Sequence, residues 1–159
     1  MSQITSKDGT VIDYERSGRG PALILVDGAM CSRDFGPMPK LAPLLAPHFT
    51  VYAYDRRGRG KSGDTLPYSP QREVEDVAAL VQEAGGSASL VGLSSGGALA
   101  LEAAASGLPV DKVVAYEPPY VGVTGNGADF FVAEPANQSG NRVGLELGVR
   151  IERHDDFAA

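Results

Sequence analysis

The sequence has little of several features that would each point to a particular class of protein. It has one cysteine, Cys31, so no internal disulfide can form, and its 14 Lys and Arg against 20 Asp and Glu argue against a nucleic-acid partner. Every apolar run is shorter than the roughly 18 to 20 residues that a membrane-spanning helix needs. The polar start Met1-Ser2-Gln3 lacks the basic and apolar regions of a signal peptide. These shortages predict a cytoplasmic protein with no nucleic-acid or membrane partner.

The length and overall composition of the chain suit one folded domain. A chain of 159 residues with 43% hydrophobic and 21% charged residues can bury a core without disulfides. Its 20 Gly and 11 Pro indicate many tight connections between short elements. The composition therefore favours a loop-rich fold that contains strands.

Short apolar runs bounded by turn residues predict strands that are covered on both faces, as in a parallel sheet. These runs are Ala22–Val26, Thr50–Tyr54, 89–93 and 112–116. In an earlier strand over 10–16, Val11, Asp13 and Glu15 alternate with Ile12 and Tyr14, which predicts a half-exposed strand near a sheet edge.

Helical spacing of apolar residues separates these strands. It predicts helices over 39–46, from Pro70 to the Gly85-Gly86 pair, and over 95–106. The alternation of strand and helix predicts an α/β fold with crossover connections. Further along, 121–140 shows no period and is interpreted as loop, whereas the alternating segment 142–153 is interpreted as a strand.

A serine lies where the third crossover begins. Gly92-Leu93-Ser94-Ser95-Gly96 has the GxSxG pattern, in which a strained strand-to-helix turn exposes the serine hydroxyl at the edge of the sheet. The pattern alone is weak in a chain rich in Gly and Ser. Its setting between an apolar strand and an Ala-rich helix is much more specific, and Ser94 is therefore the candidate nucleophile.

Two main-chain amides are candidates for stabilising a developing oxyanion. The N–H of Ser95 starts the predicted helix, where unpaired amides and the helix dipole favour negative charge. The loop after Ala22–Val26 contains Gly28, which lets the backbone turn toward the serine, and the N–H of Ala29 is the second candidate. A plain turn between strand and helix would look similar at this position.

Four motifs in the expected order resemble the α/β-hydrolase superfamily. They are Asp27-Gly28-Ala29, the stretch Tyr54-Asp55-Arg56-Arg57-Gly58-Arg59-Gly60-Lys61-Ser62, the serine turn, and Tyr116-Glu117-Pro118-Pro119. The resemblance covers about residues 10 to 120. It implies a three-layer α/β/α sandwich on a mostly parallel sheet, incomplete at its C-terminal side. Residues 1–120 would be the core, and 121–159 an atypical tail of the same domain. Asp27 stands where many members have histidine.

A serine hydroxyl needs a base to take its proton, and the family resemblance implies a histidine held by an acid. His48 precedes a strand at the wrong end of the sheet, which leaves His154 as the candidate base. Glu117 is the candidate acid and Asp129 its rival. Alternatively, the tail supplies no working base at all.

Several other patterns are given structural interpretations. Gly58-Arg59-Gly60-Lys61-Ser62-Gly63 spells GxGxxG, but no helix follows promptly enough to bind a pyrophosphate. Arg56, Arg57 and Arg59 are expected to brace loops through carboxylates or carbonyls, and Cys31 to be a packing residue. No cofactor or metal is expected.

The function that these residues favour is an esterase-like serine hydrolase of small ester or acyl substrates. The rival hypothesis is a catalytically impaired, hydrolase-like protein that binds a small ligand or a partner. The tail matches no later part of the family, so we expect an uncovered strand edge beside 112–116. That edge predicts a homodimer, with the 142–153 strand completing the sheet within one chain or between two.

Overall fold

One mixed sheet contains every strand that the structure describes. The structure is a computed structural model, and it describes residues 2–119 and 130–133. The strands are β1 (Ser2–Thr5), β2 (Val11–Gly18), β3 (Ala22–Val26), β4 (Thr50–Tyr54), β5 (Ala88–Leu93), β6 (Val110–Tyr116) and β7 (Phe130–Ala133). The helices are α1 (Met38–Leu45), α2 (Pro70–Glu83) and α3 (Ser95–Ala105).

The strand order places the four predicted apolar strands at the centre of the sheet. The order is β1-β2-β4-β3-β5-β6-β7. Strands β4, β3, β5 and β6 are parallel to one another, whereas β1, β2 and β7 join through antiparallel pairs. Because parallel strands end at the same edge, the loops after β3, β4, β5 and β6 meet there.

Helices cover both faces of the sheet, so the fold is a three-layer α/β/α sandwich. On one face of the sheet, α2 and α3 pack over a core that includes Ile24, Tyr54 and Leu90. On the other face, Met38 of α1 packs over Leu25 and Val51. In the part of the chain that the structure describes, no helix is long and apolar enough to cross a membrane.

Helix and strand boundaries follow the local pattern closely. The bounds of β3 and β4 agree with the prediction, and β5 and β6 begin one and two residues earlier than predicted. Each of the three helices is displaced by no more than about two residues from its predicted position. These elements are confirmed.

Both ends of the sheet differ from the prediction. The sequence pattern did not reveal β1, which is short and polar and pairs with β2. The interpretation of 121–140 as loop is wrong over Phe130–Ala133, because β7 pairs antiparallel with β6. The edge beside β6 is therefore covered rather than open as expected, and dimerisation stays a prediction. The segment 142–153 lies outside the described residues.

Asp13 of β2 has a buried environment that the sequence pattern alone does not indicate. Asp13 is buried, and its carboxylate pairs with the guanidinium of Arg33, which is buried as well. Arg33 also lies 3.4 Å from the Asp55 carboxylate. A buried carboxylate is tolerated where an opposite charge compensates it, and Arg33 supplies that charge here.

Candidate functional site

The turn between β5 and α3 holds Ser94 in a backbone conformation that residues other than glycine rarely adopt. Its φ is 52° and its ψ is −122°, and the N–H of Ser94 donates to the carbonyl of Tyr116 at 2.8 Å. The residue is half-buried rather than packed inside the core. Strain of this kind persists only where the surroundings enforce it, and it commonly marks functional sites.

Both glycines of the turn are required by close backbone approach. A Cβ on Gly92 would lie 2.3 Å from the carbonyl oxygen of Gly96, and a Cβ on Gly96 would lie 2.1 Å from that of Val26. The first contact lets α3 fold back over the end of β5, and the second lets α3 pack against the end of β3. The sharp turn at Ser94 depends on both.

The loop after β3 lies directly beside Ser94. A Cβ on Gly28 would be 3.7 Å from the Cβ of Ser94 and 3.4 Å from the carbonyl oxygen of Leu93. Within residues 2–119, neither the N–H of Ala29 nor that of Ser95 has a hydrogen-bond acceptor. The structure thus brings the loop that carries Ala29 next to Ser94, and no group of residues 2–119 occupies either candidate amide.

Asp27 organises that loop. It is buried, and its Oδ1 accepts the N–H of Gly28 at 2.8 Å. Burial raises the pKa of Asp27, and the bond from Gly28 offsets part of that rise. The pKa of Cys31 is raised by burial and by the nearby Asp27, so the thiol is poorly suited to act as a nucleophile.

Arg56 hydrogen-bonds both segments that carry the candidate amides. Its Nη1 donates to the carbonyl oxygen of Asp27 at 3.0 Å and to Oγ of Ser95 at 2.9 Å. Its Nε and Nη2 donate to the carboxylate of Glu73 at 2.6 and 2.8 Å, and Tyr68 donates to the same carboxylate at 2.9 Å. Burial alone would raise the pKa of Glu73, but the bonds from Arg56 outweigh burial and hold it below its usual value.

The candidate acid follows the strand next to the serine turn. Leu93 pairs with Tyr116, so Ser94 and Glu117 leave the same edge of the sheet on adjacent strands. Glu117 is exposed and has a φ of 46°. His48 is exposed and precedes β4, at the opposite edge, so it is not brought to Ser94. The candidate base His154 and the rival acid Asp129 lie outside the described residues.

The loop that spells GxGxxG encloses a carboxylate of the chain itself. A Cβ on Gly60, where φ is 53°, would lie 2.3 Å from the side chain of Asp55, and the N–H of Lys61 donates to that carboxylate at 3.0 Å. The next helix, α2, begins only at Pro70. Among residues 2–119, no group of three or more His, Cys, Asp or Glu side chains could hold a metal ion.

Sequence reasoning missed the role of the acids on α2. Glu73 and Asp76 are both buried, and they bind Arg56 and Arg57 respectively. A signal was available: two adjacent arginines after a strand precede two acids at i and i+3, which share one helix face. The expectation that these arginines brace loops agrees with the contacts of Arg56 and Arg57.

Comparison with known protein families shows which family the chain belongs to. The family model described as "Alpha/beta hydrolase family" matches residues 23–159. The chain belongs to the alpha/beta hydrolase family. Its solved relatives include an alpha/beta hydrolase from Sphaerobacter thermophilus DSM 20745, with 56% identity and a TM-score of 0.72, covering 75% of this chain and 46% of that one.

Two further alpha/beta-hydrolase relatives have more specific descriptions. An esterase from Rhodococcus sp. ECU1013 is 27% identical, with a TM-score of 0.64, and the match covers 72% of this chain and 44% of that one. An N-formylmaleamic acid deformylase from Pseudomonas putida S16 is 26% identical, with a TM-score of 0.67, over 74% and 46% of the two chains. The chain therefore spans just under half the length of these solved relatives.

Proposed function

We propose that this alpha/beta hydrolase is a serine hydrolase that cleaves small ester or related acyl substrates. The observation that carries the proposal is the strained turn at Ser94, where the half-buried residue lies near two amides that have no acceptor within residues 2–119. Preorganised amides at such a position stabilise charge that develops in the transition state. One similar structure is described as an esterase and another as a deformylase, which supports this substrate class.

The proposed reaction uses the chain's own groups and no cofactor. The hydroxyl oxygen of Ser94 attacks the acyl carbon as its proton passes to His154, and the resulting oxyanion accepts hydrogen bonds from the N–H groups of Ala29 and Ser95. Collapse breaks the bond to the leaving oxygen, which takes the proton and departs as an alcohol. Water then hydrolyses the acyl-enzyme, and the acid product leaves Ser94 free. Glu117 would orient His154, with Asp129 as the alternative acid.

Hydrolysis of p-nitrophenyl acetate by single-residue variants tests this proposal. We expect Ser94→Ala to reduce turnover to the background rate, and Ser95→Ala to keep turnover well above background, at a reduced rate, because its main-chain amide remains. His154→Ala should abolish what Ser94→Ala abolishes, and Glu117→Gln separates the two acids, because full activity would point to Asp129. Turnover by wild type that Ser94→Ala does not reduce would contradict the proposal. Wild type without turnover would favour the hydrolase-like binding protein.

A further inference from the structure

Arg56 is the one side chain among residues 2–119 that hydrogen-bonds both loops carrying the candidate amides. A guanidinium Nη1 has two hydrogens, so it can donate to the Asp27 carbonyl and to Ser95 Oγ at the same time. These acceptors are each about 3 Å from the same nitrogen, so they lie no more than about 6 Å apart. One nitrogen therefore bridges the loop after β3 and the first residue of α3, just beyond the ends of the paired strands β3 and β5.

The guanidinium itself is fixed from its other side. Glu73 accepts from Nε and Nη2 in a forked pair, and Tyr68 donates to the same carboxylate. Arg56 is 5% exposed and Glu73 2%, so little water competes for these bonds. A planar fork held by two bonds leaves its remaining N–H groups pointing in a fixed direction.

We infer that Arg56 is a positioning residue, which holds the N–H groups of Ala29 and Ser95 at the separation that an oxyanion of the Ser94 reaction requires. Asp27 is two residues before Ala29, and the accepting Oγ belongs to Ser95 itself. The inference rests on the proposed function. It adds that the rate of the chemical step depends on a side chain that does not itself touch the substrate.

The neighbouring arginine offers a matched control. Arg57 is also buried, at 4% exposure, and also makes a forked pair with an acid of α2, Asp76, at 2.8 and 2.7 Å. Its remaining bonds go to Asp8 and to the carbonyl of Arg72, away from the serine turn. Arg56→Met and Arg57→Met therefore both break a buried ion pair with α2, but only Arg56→Met also removes the bonds to the Asp27 carbonyl and to Ser95 Oγ.

The test is a comparison of kcat and KM for p-nitrophenyl acetate among folded variants, assayed below their unfolding transitions. A shift of about 1 Å in a catalytic group can cost about a hundredfold in rate, so we expect Arg56→Met to lower kcat about 10- to 100-fold with little change in KM. Arg57→Met should keep kcat within about threefold of wild type, the change expected for a residue remote from the chemistry. Arg56→Lys, which keeps the charge but not the fork, should resemble Arg56→Met.

If the Arg56 variants fail to fold, Ser95→Ala still tests whether the bond from Arg56 affects the rate. It removes a single bond to Arg56 and leaves the amide in place, and we expect a fall in kcat of about threefold or more at unchanged KM. Equal loss of kcat in Arg56→Met and Arg57→Met, a change in KM alone, or unchanged kcat in Ser95→Ala would overturn the inference while leaving the proposed function intact. If wild type shows no turnover that depends on Ser94, the proposed function fails and the inference fails with it.

Discussion

Replacing Gly96 by alanine tests how closely α3 must approach the end of β3. A Cβ at this position would lie 2.1 Å from the carbonyl oxygen of Val26 and 2.4 Å from that of Asp27. The first distance is roughly 1.3 Å below the separation at which ordinary contact begins. Both oxygens belong to the main chain, so no side-chain rotation relieves the clash, and the helix and strand must move apart.

Gly97 is the matched control, because it lies in the same helix turn without the same clash. Its added Cβ would be 3.2 Å from the Gly92 carbonyl oxygen and 3.3 Å from the Ala115 Cβ, so shifts of a few tenths of an ångström suffice. Exchanging glycine for alanine within a helix gains up to about 1 kcal/mol, whereas overpacking costs about 1–3 kcal/mol and sometimes more. We expect Gly96→Ala to lose about 2 kcal/mol and Gly97→Ala to change by less than about 1 kcal/mol.

Urea unfolding followed by circular dichroism at 222 nm measures the difference, which suits a chain without tryptophan. With a slope of about 1–3 kcal/mol per molar urea, a loss of 2 kcal/mol lowers the midpoint by about 1 M. The reasoning is refuted if Gly96→Ala unfolds at the wild-type midpoint, or if Gly97→Ala is the less stable of the two.

Other predictions follow from single contacts. Asp8→Asn should destabilise the protein at pH 7, because the bond from Arg57 lowers the pKa of Asp8 in the folded state. Its difference from wild type should narrow as the pH falls below about 4, the pKa of an unfolded Asp, as urea midpoints at pH 7, 5 and 3 would show. Cys31 should react slowly with iodoacetamide at pH 7 in the folded protein and readily in urea, because burial and Asp27 raise its pKa. Ser62→Ala should cost about 1–3 kcal/mol, because Ser62 Oγ joins two main-chain groups that would lose their partner.

The central strands and the serine turn could be predicted because their signals are local. An apolar run bounded by turn residues suffices for β3 and β4, and the GxSxG spacing is contained in five residues between a strand and a helix. The close approaches that require Gly92 and Gly96 involve the helix that follows and the β3 strand beside it. The glycines were predictable, but the atoms that require them were not.

Features that depend on a distant partner could not be predicted in the same way. The polar strand β1 forms because β2 offers an edge, and Asp13 is buried because Arg33 lies opposite, twenty positions away in the chain. The strand β7 was missed because no local sequence period indicates its pairing with β6. Likewise the Arg56 bonds link the loop after β4 to the loop after β3 and to the start of α3, which only the folded sheet brings together.

Labelling with a fluorophosphonate, read by intact mass and peptide mapping, addresses the reactivity of Ser94 most directly. We predict one adduct per chain, located on Ser94, retained in Ser95→Ala and absent from Ser94→Ala. Because the two serines are adjacent, the Ser95 variant controls for mere accessibility of a hydroxyl on this turn. A folded protein that remains unlabelled, or an adduct that persists in Ser94→Ala, would contradict the account.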